Sequence, residues 1–304
     1  MIKSSTGEVC SPNDDIKALD LHGTNALRAR LLQIQADSGS GEAALLAEAQ
    51  IAVGVERQAE ADKTAQAEQA EIDKAQQALS DFRSYLEQST GRAVHALPSD
   101  AELAYTINPD TQECEITRLD GEPVTLDIAD SELNGELPLP PQLMVTELYC
   151  SANQLTTLPE VLPTSLTKLD CSRNQLTTLP EVLPTSLTVL YCRNNQLTTL
   201  PEVLPTSLTE LDCGNNQLTT LPEVLPTSLT VLDCHHNQLT TLPEVLPTSL
   251  TELDCGGNQL TTLPEVLPAS LTGLDCGGNP DLASNPAAQA TLQELRDSGA
   301  TVRA

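Results

Sequence analysis

The sequence predicts an α+β chain in which a solenoid, coiled on a curved parallel sheet with an extended, polyproline-like convex side, follows an α-helical N-terminal region. Three observations predict it. The stretch LTKLDCSRNQLTTLPEVLPTS, residues 166–186, returns almost letter for letter from Val145 to the C-terminal tail. Its marker residues keep one spacing: Cys150, Cys171, Cys192, Cys213, Cys234, Cys255 and Cys276 stand 21 residues apart, and so do Asn153, Asn174, Asn195, Asn216, Asn237, Asn258 and Asn279. A fixed short period is the mark of units that cannot bury an apolar face alone and share one core by stacking. Upstream, a proline-free run rich in Ala, Glu and Gln carries apolar residues at helical steps.

Taken in order, residues 1–12 are polar and read as a disordered leader. Residues 13–98 form the helical region. Helix formers surround Ile16, Leu19, Leu27, Leu31 and Ile34 until Gly39, Ser40 and Gly41 interrupt them. From Glu42 to about Gln88, Ile72, Ala75, Leu79, Phe82 and Leu86 mark one helix face, read as one long helix or, with Gly54 a candidate break, two shorter ones. Residues 99–144 read as a degenerate first coil and N-terminal cap: setting LDIADSEL (126–133) against LYCSANQL (148–155) puts Ile128 in the cysteine column and Ser131 in the asparagine column. Residues 145–279 are the 21-residue repeats, and 280–304 a C-terminal cap in which 287–296 form a short amphipathic helix and Val302 a last covering residue.

Within a repeat, Leu166, Leu169, Cys171, Leu176 and Leu179 are expected inward, with Lys168 to Asp170 a strand alternating outward, inward, outward. The asparagine amide stands where the chain leaves the strand and is placed to satisfy turn backbone groups of its own and the adjacent coil. Pro180 and Pro184 bracket the return segment and exclude a regular helix there.

The motif LxxLxCxxNxLxxLPxxLPxxL resembles the short bacterial class of leucine-rich repeats found in type III secretion effectors of the invasion-plasmid-antigen and outer-protein-M types, some of which are ubiquitin ligases. The resemblance covers about residues 124–280. It implies a horseshoe whose concave face binds another protein, and delivery into a host cytosol. Two departures limit it. The chain has no Trp for the helical hairpin that usually precedes such repeats, and the 25 residues after Asn279 contain no cysteine, so ligase activity is not carried over.

Composition bounds the partners. The net charge of −28 divides as −16 over residues 1–144, from 26 acidic and 10 basic residues, and −12 over 145–304, from 17 and 5. Both halves being acidic, neither nucleic acid nor an anionic membrane is an expected partner. The first twenty residues lack the apolar centre of a secretory signal, so secretion would take a non-classical route, the alternative being the bacterial cytoplasm.

Specificity belongs where the repeats differ, since LTTLPEVLPTS is nearly uniform. The third position runs Glu147, Lys168, Val189, Glu210, Val231, Glu252, Gly273, and the fifth Tyr149, Asp170, Tyr191, Asp212, Asp233, Asp254, Asp275. After the cysteine come Ser151–Ala152, Ser172–Arg173, Arg193–Asn194, Gly214–Asn215, His235–His236, Gly256–Gly257 and Gly277–Gly278. Tyr149, Lys168, Arg173, Tyr191, Arg193, Asp212, His235 and His236 are therefore the candidate protein-binding residues, because aromatic and Arg side chains anchor interfaces. The competing reading is drift at solvated positions.

Other constellations have plainer readings. The cysteine ladder is core packing rather than a metal or redox device, which leaves at most Cys10 and Cys114 to react quickly with a thiol probe. His235 and His236, as neighbours, are expected to point apart and lack the spaced partners of a zinc site, so neither metal nor cofactor is expected. The GxGxxA match at 39–44 follows a helical segment instead of a strand and reads as a linker. The column Glu160, Glu181, Glu202, Glu223, Glu244 and Glu265 is a solvated face. No triad, P-loop, CxxC or HExxH supports an enzyme. Two alternatives to a non-catalytic binding effector remain: the substrate-recognition part of an effector ubiquitin ligase, and a structural protein whose Thr and Glu ladders meet a surface lattice.

Overall fold

The computed structural model describes residues 42–89 and 97–304, side chains excepted at 42–52, 88–89 and 283. The leader at 1–12, the segment at 13–37, the 39–41 linker and Cys10 lie outside the described residues. The chain divides into two units at Ala70 and Glu71.

Helix α1 (Glu42–Ser89) is one uninterrupted helix. Gly54 does not break it: an isolated glycine costs only about 1 kcal/mol against Ala, and its neighbours are strong helix formers. In the first unit, residues 57–70 are all exposed. Local pairs such as Gln58 Nε2 to Asp62 Oδ1, 2.8 Å, support this part of the helix. In the second unit, from Glu71 on, the predicted stripe is buried: Ala75, Leu79, Phe82 and Leu86 join the repeat core, with Ile72 packed against it.

An antiparallel hairpin follows, β1 (Leu103–Ile107) with β2 (Cys114–Arg118). Cys114 is not the accessible thiol the sequence reading allowed; it is 1% exposed. It shares the inward face of β2 with Ile116, two residues on, as strand alternation requires. The long sheet begins with β3 (Val124–Asp127), which pairs in parallel with β5 (Val145–Tyr149) so that Leu126 faces Leu148 and Asp127 faces Tyr149. Ile128 and Ser131 are both buried. A short side sheet joins β4 (Asn134–Glu136) to β6 (Gln154–Thr157).

From there every rung adds a three-residue strand: β7 (Lys168–Asp170), β8 (Val189–Tyr191), β9 (Glu210–Asp212), β10 (Val231–Asp233), β11 (Glu252–Asp254) and β12 (Gly273–Asp275). Register is exact across rungs, Leu169 on Leu190 on Leu211, and the central residue of each strand is buried. Leu166, Leu169, Cys171, Leu176 and Leu179 all point inward. The uniform Thr and Ser positions tie coils together: Thr188 Oγ1 donates to Thr167 O at 3.0 Å, and Ser186 Oγ donates to Thr164 O and Leu166 O, both at 2.7 Å. The convex segments contain no helix. Beyond the repeats come α2 (Pro280–Ser284) and α3 (Pro286–Asp297), the latter capped by Asn285 and burying Ala288, Leu292 and Leu295. Then β13 (Thr301–Arg303) closes the nine-stranded sheet, with Val302 opposite Leu274.

Candidate functional site

Two side-chain ladders build the rim of the concave face. Each asparagine bridges rungs; Asn216 Nδ2 donates to Cys192 O at 3.1 Å and Cys213 O at 3.0 Å, while its Oδ1 accepts from Leu197 N at 3.0 Å. The cysteines beneath are closed off, and burial pushes the thiols of Cys150, Cys171, Cys192, Cys213 and Cys234 up. The aspartates of the fifth position have a structural duty that the sequence reading did not assign. Asp170, Asp212, Asp233, Asp254 and Asp275 each accept, through Oδ1, the backbone N–H two residues on, at 3.0–3.1 Å, which caps the turn that leaves the strand.

The residue after that capped position is left-handed in every rung. Ala152, Arg173, Asn194, Asn215 and His236 have φ of 54°, 54°, 55°, 53° and 49°, and Gly257 and Gly278 have 64° and 72°. Asn and Gly suit this region; other side chains pay about 1–2 kcal/mol. Arg173 and His236 therefore break a local backbone rule, and Tyr149 and Tyr191 forgo the carboxylate cap. The fold thus constrains two of the variable columns, and the departures from its preferences are Ala152, Arg173 and His236 at the left-handed position and Tyr149 and Tyr191 at the cap.

Those departures are brought together by the sheet. Lys168 Nζ lies 5.2 Å from the ring centroid of Tyr149 and 5.4 Å from that of Tyr191, a cation held between two aromatic faces from three consecutive rungs. Tyr149 donates its hydroxyl to Glu147 Oε2 at 3.0 Å. Burial, and then a hydrogen bond with Glu210, push the Tyr191 phenol up to about 12. Arg193 Nε stands 3.6 Å from Asp212 Oδ2. Burial, and then the neighbouring Asp233 carboxylate, raise Asp212 to about 6, against the opposing pull of the Gly214 N–H, Arg193 and His235. Arg173, Tyr191, Arg193 and Asp212, with Asp170 and Asp233, line a shallow depression of about 480 Å³.

The histidines lie one rung further on. They do not point apart: their rings meet edge-on with centroids 5.3 Å apart, because the left-handed turn at His236 swings its side chain round. His235 Nδ1 touches Asp233 Oδ1, and its Nε2 is 2.7 Å from Asn215 Nδ2. Glycines make the room. A Cβ at Gly214 would lie 2.3 Å from His235 Nδ1, and one at Gly257 2.4 Å from His236 Nδ1. These Gly–His pairings, and the proximity of Asp254 to His235, were missed because they connect residues about one repeat apart; reading down the 21-residue columns would have shown them.

Fold and face together define a leucine-rich-repeat solenoid with a built concave surface. Residues 185–226, 206–247 and 227–269 match the family model of Leucine Rich repeats (2 copies), and residues 165–185 that of a Leucine Rich Repeat. Among solved structures, the chain is similar to YopM from Yersinia enterocolitica WA-314, with 40% identity over 50% of this chain and 32% of that one, TM-score 0.47. It is also similar to a Shigella effector LRR domain (34% identity, 59% of this chain and 80% of that one, TM-score 0.48). A third likeness is to the functional domain of InlJ from Listeria monocytogenes, which includes a cysteine ladder (31% identity, 54% and 37%, TM-score 0.48). The chain spans about a third of the length of the first of these. No curated protein matches it. Among the described residues, no helix is long and apolar enough to cross a membrane.

Proposed function

We propose that the protein is a non-catalytic scaffold whose concave face binds another protein, with Tyr149, Lys168, Tyr191 and Arg193 as anchors and Arg173, Asp212, His235 and His236 around them. The observation that carries this reading is the Tyr149–Lys168–Tyr191 stack, which forgoes two turn caps in order to place aromatic faces and a cation on an otherwise acidic surface. Such preorganised aromatic and basic groups are the usual anchors of interfaces. The fitting partner presents an acidic or mixed patch around an apolar centre. Following the resemblance of the repeat motif, that partner is a host protein and the chain a bacterial effector acting in host cytoplasm.

The test is capture from host-cell lysate on immobilised wild-type protein, on Y191A/R193A and on the outer-ladder variant E223A/E244A. The expected result is a band retained by the wild type and the outer-ladder variant and lost on Y191A/R193A. Retention by all three would refute the concave-face assignment, and a truncation lacking residues 13–70, which leaves the core-packed stripe from Ile72 to Leu86 in place, that alone lost the band would move the site to the N-terminal region.

A further inference from the structure

The histidine-bearing rung of the concave face holds a donor set of which the protein-binding reading uses only His235, at its margin. Asp233, His235 and Asp254 each direct one ligand atom into a space where all three lie within 4.8 Å of one another. We propose that Asp233, His235 and Asp254 bind a divalent transition-metal cation of the zinc type.

Four features of the structure support a site. The donors come from adjacent strands, β10 and β11, so the parallel register that stacks Asp233 on Asp254 holds them in place. The imidazole is seated: its ring lies over Gly214, where any Cβ would collide, so its Nδ1 is held toward Asp233. The opposite ring nitrogen has the outer partner that metal-bound histidines use to fix their orientation, Asn215, 2.7 Å from Nε2. Finally, charge is uncompensated here. Asp212 and Asp275 meet Arg193 and Arg303 at 3.6 and 3.8 Å, whereas among the described residues neither Asp233 nor Asp254 has a Lys or Arg within 4 Å. A cation between the two rungs would meet both carboxylates at once.

The chemistry of the donors selects the ion. One imidazole nitrogen with two carboxylates suits zinc and its neighbours better than calcium or magnesium, which take oxygen ligands alone. The Oδ1 atoms also cap His235 N and Gly256 N, and Asp233 Oδ1 is the oxygen that meets the His235 ring. On binding, the cation takes the Nδ1 lone pair: the proton on Nδ1 passes to solvent and Nε2 takes one up from solvent, so the ring stays neutral and donates Nε2–H to Asn215, whose amide turns to present its oxygen. With bonds of about 2.0–2.1 Å the carboxylates close in slightly, and three protein donors leave one coordination position open toward the concave face.

Calorimetric titration of zinc chloride into the full chain in a Cys10→Ser background tests the site, with calcium chloride as comparison. One zinc ion per chain is expected, weakened at least about tenfold in both His235→Gln and Asp254→Asn, and unchanged in His236→Gln. Asn at 254 keeps the oxygen that caps Gly256, and melting curves check each variant. Absence of saturable zinc binding, zinc binding that survives both substitutions, or tighter binding of calcium than zinc would each overturn the proposal.

Discussion

Asn216 shows how much one side chain carries in this array: both amide groups are engaged, and all their partners are backbone atoms that the stacked coils would otherwise bury unpaired. Replacing it by Ala should cost about 1–3 kcal/mol, whereas Gln217→Ala, at the exposed neighbouring position, should stay within about 0.5 kcal/mol. Urea midpoints check this, and equal losses would contradict the column assignment. Arg173 gives the opposite sign. At φ 54° it occupies a conformation that asparagine tolerates better, so Arg173→Asn should raise stability by about 1 kcal/mol while weakening partner binding, a separation readable from melting and titration on the same sample. For Asp212 the sign follows from proton linkage. Its folded-state value of about 6 lies above that of an unfolded carboxyl, so its contribution to stability is present below about pH 4 and lost as pH rises through 6. Asp233, Arg193 and His235 are the charged side chains that face it. Melting temperatures of Asp212→Asn should accordingly fall less than those of the wild type between pH 4 and 7.

At the scale of elements, the cysteine ladder and β2 place eight thiols inside the fold. Mass spectrometry after brief alkylation should find Cys114 and all seven ladder cysteines unmodified in native protein and modified in denaturant; rapid native labelling of the ladder would mean a different register. The ladder and its strands were legible in the sequence because a strict period converts spacing directly into stacking, and α1 because Ile72 to Leu86 follow helical steps. The turn after each cysteine was not legible. Its rule is conformational, and a column reading Ala, Arg, Asn, Asn, His, Gly, Gly looks like drift until the positive φ shared by all seven explains Asn194, Asn215, Gly257 and Gly278 and singles out Ala152, Arg173 and His236. The aspartate caps were hidden for a similar reason, since an acidic column reads first as surface charge. Cys114 was misjudged because nothing in its local sequence shows which face of a hairpin strand the core will cover.

At the scale of the molecule, the solenoid concentrates its departures from uniformity on one side. A chain of net charge −28 sets three cations, Lys168, Arg173 and Arg193, among carboxylates on the concave face, and the parallel sheet brings residues about 21 positions apart into one patch. On the proposed reading, association through that patch should weaken with added salt, because contacts between exposed charges are screened. The most direct test is isothermal titration of the captured partner against wild-type protein and Y191A/R193A, with melting temperatures measured on the same samples. The account predicts an affinity lower by about 2–4 kcal/mol with an unchanged melting temperature; equal affinity for the two proteins would contradict it.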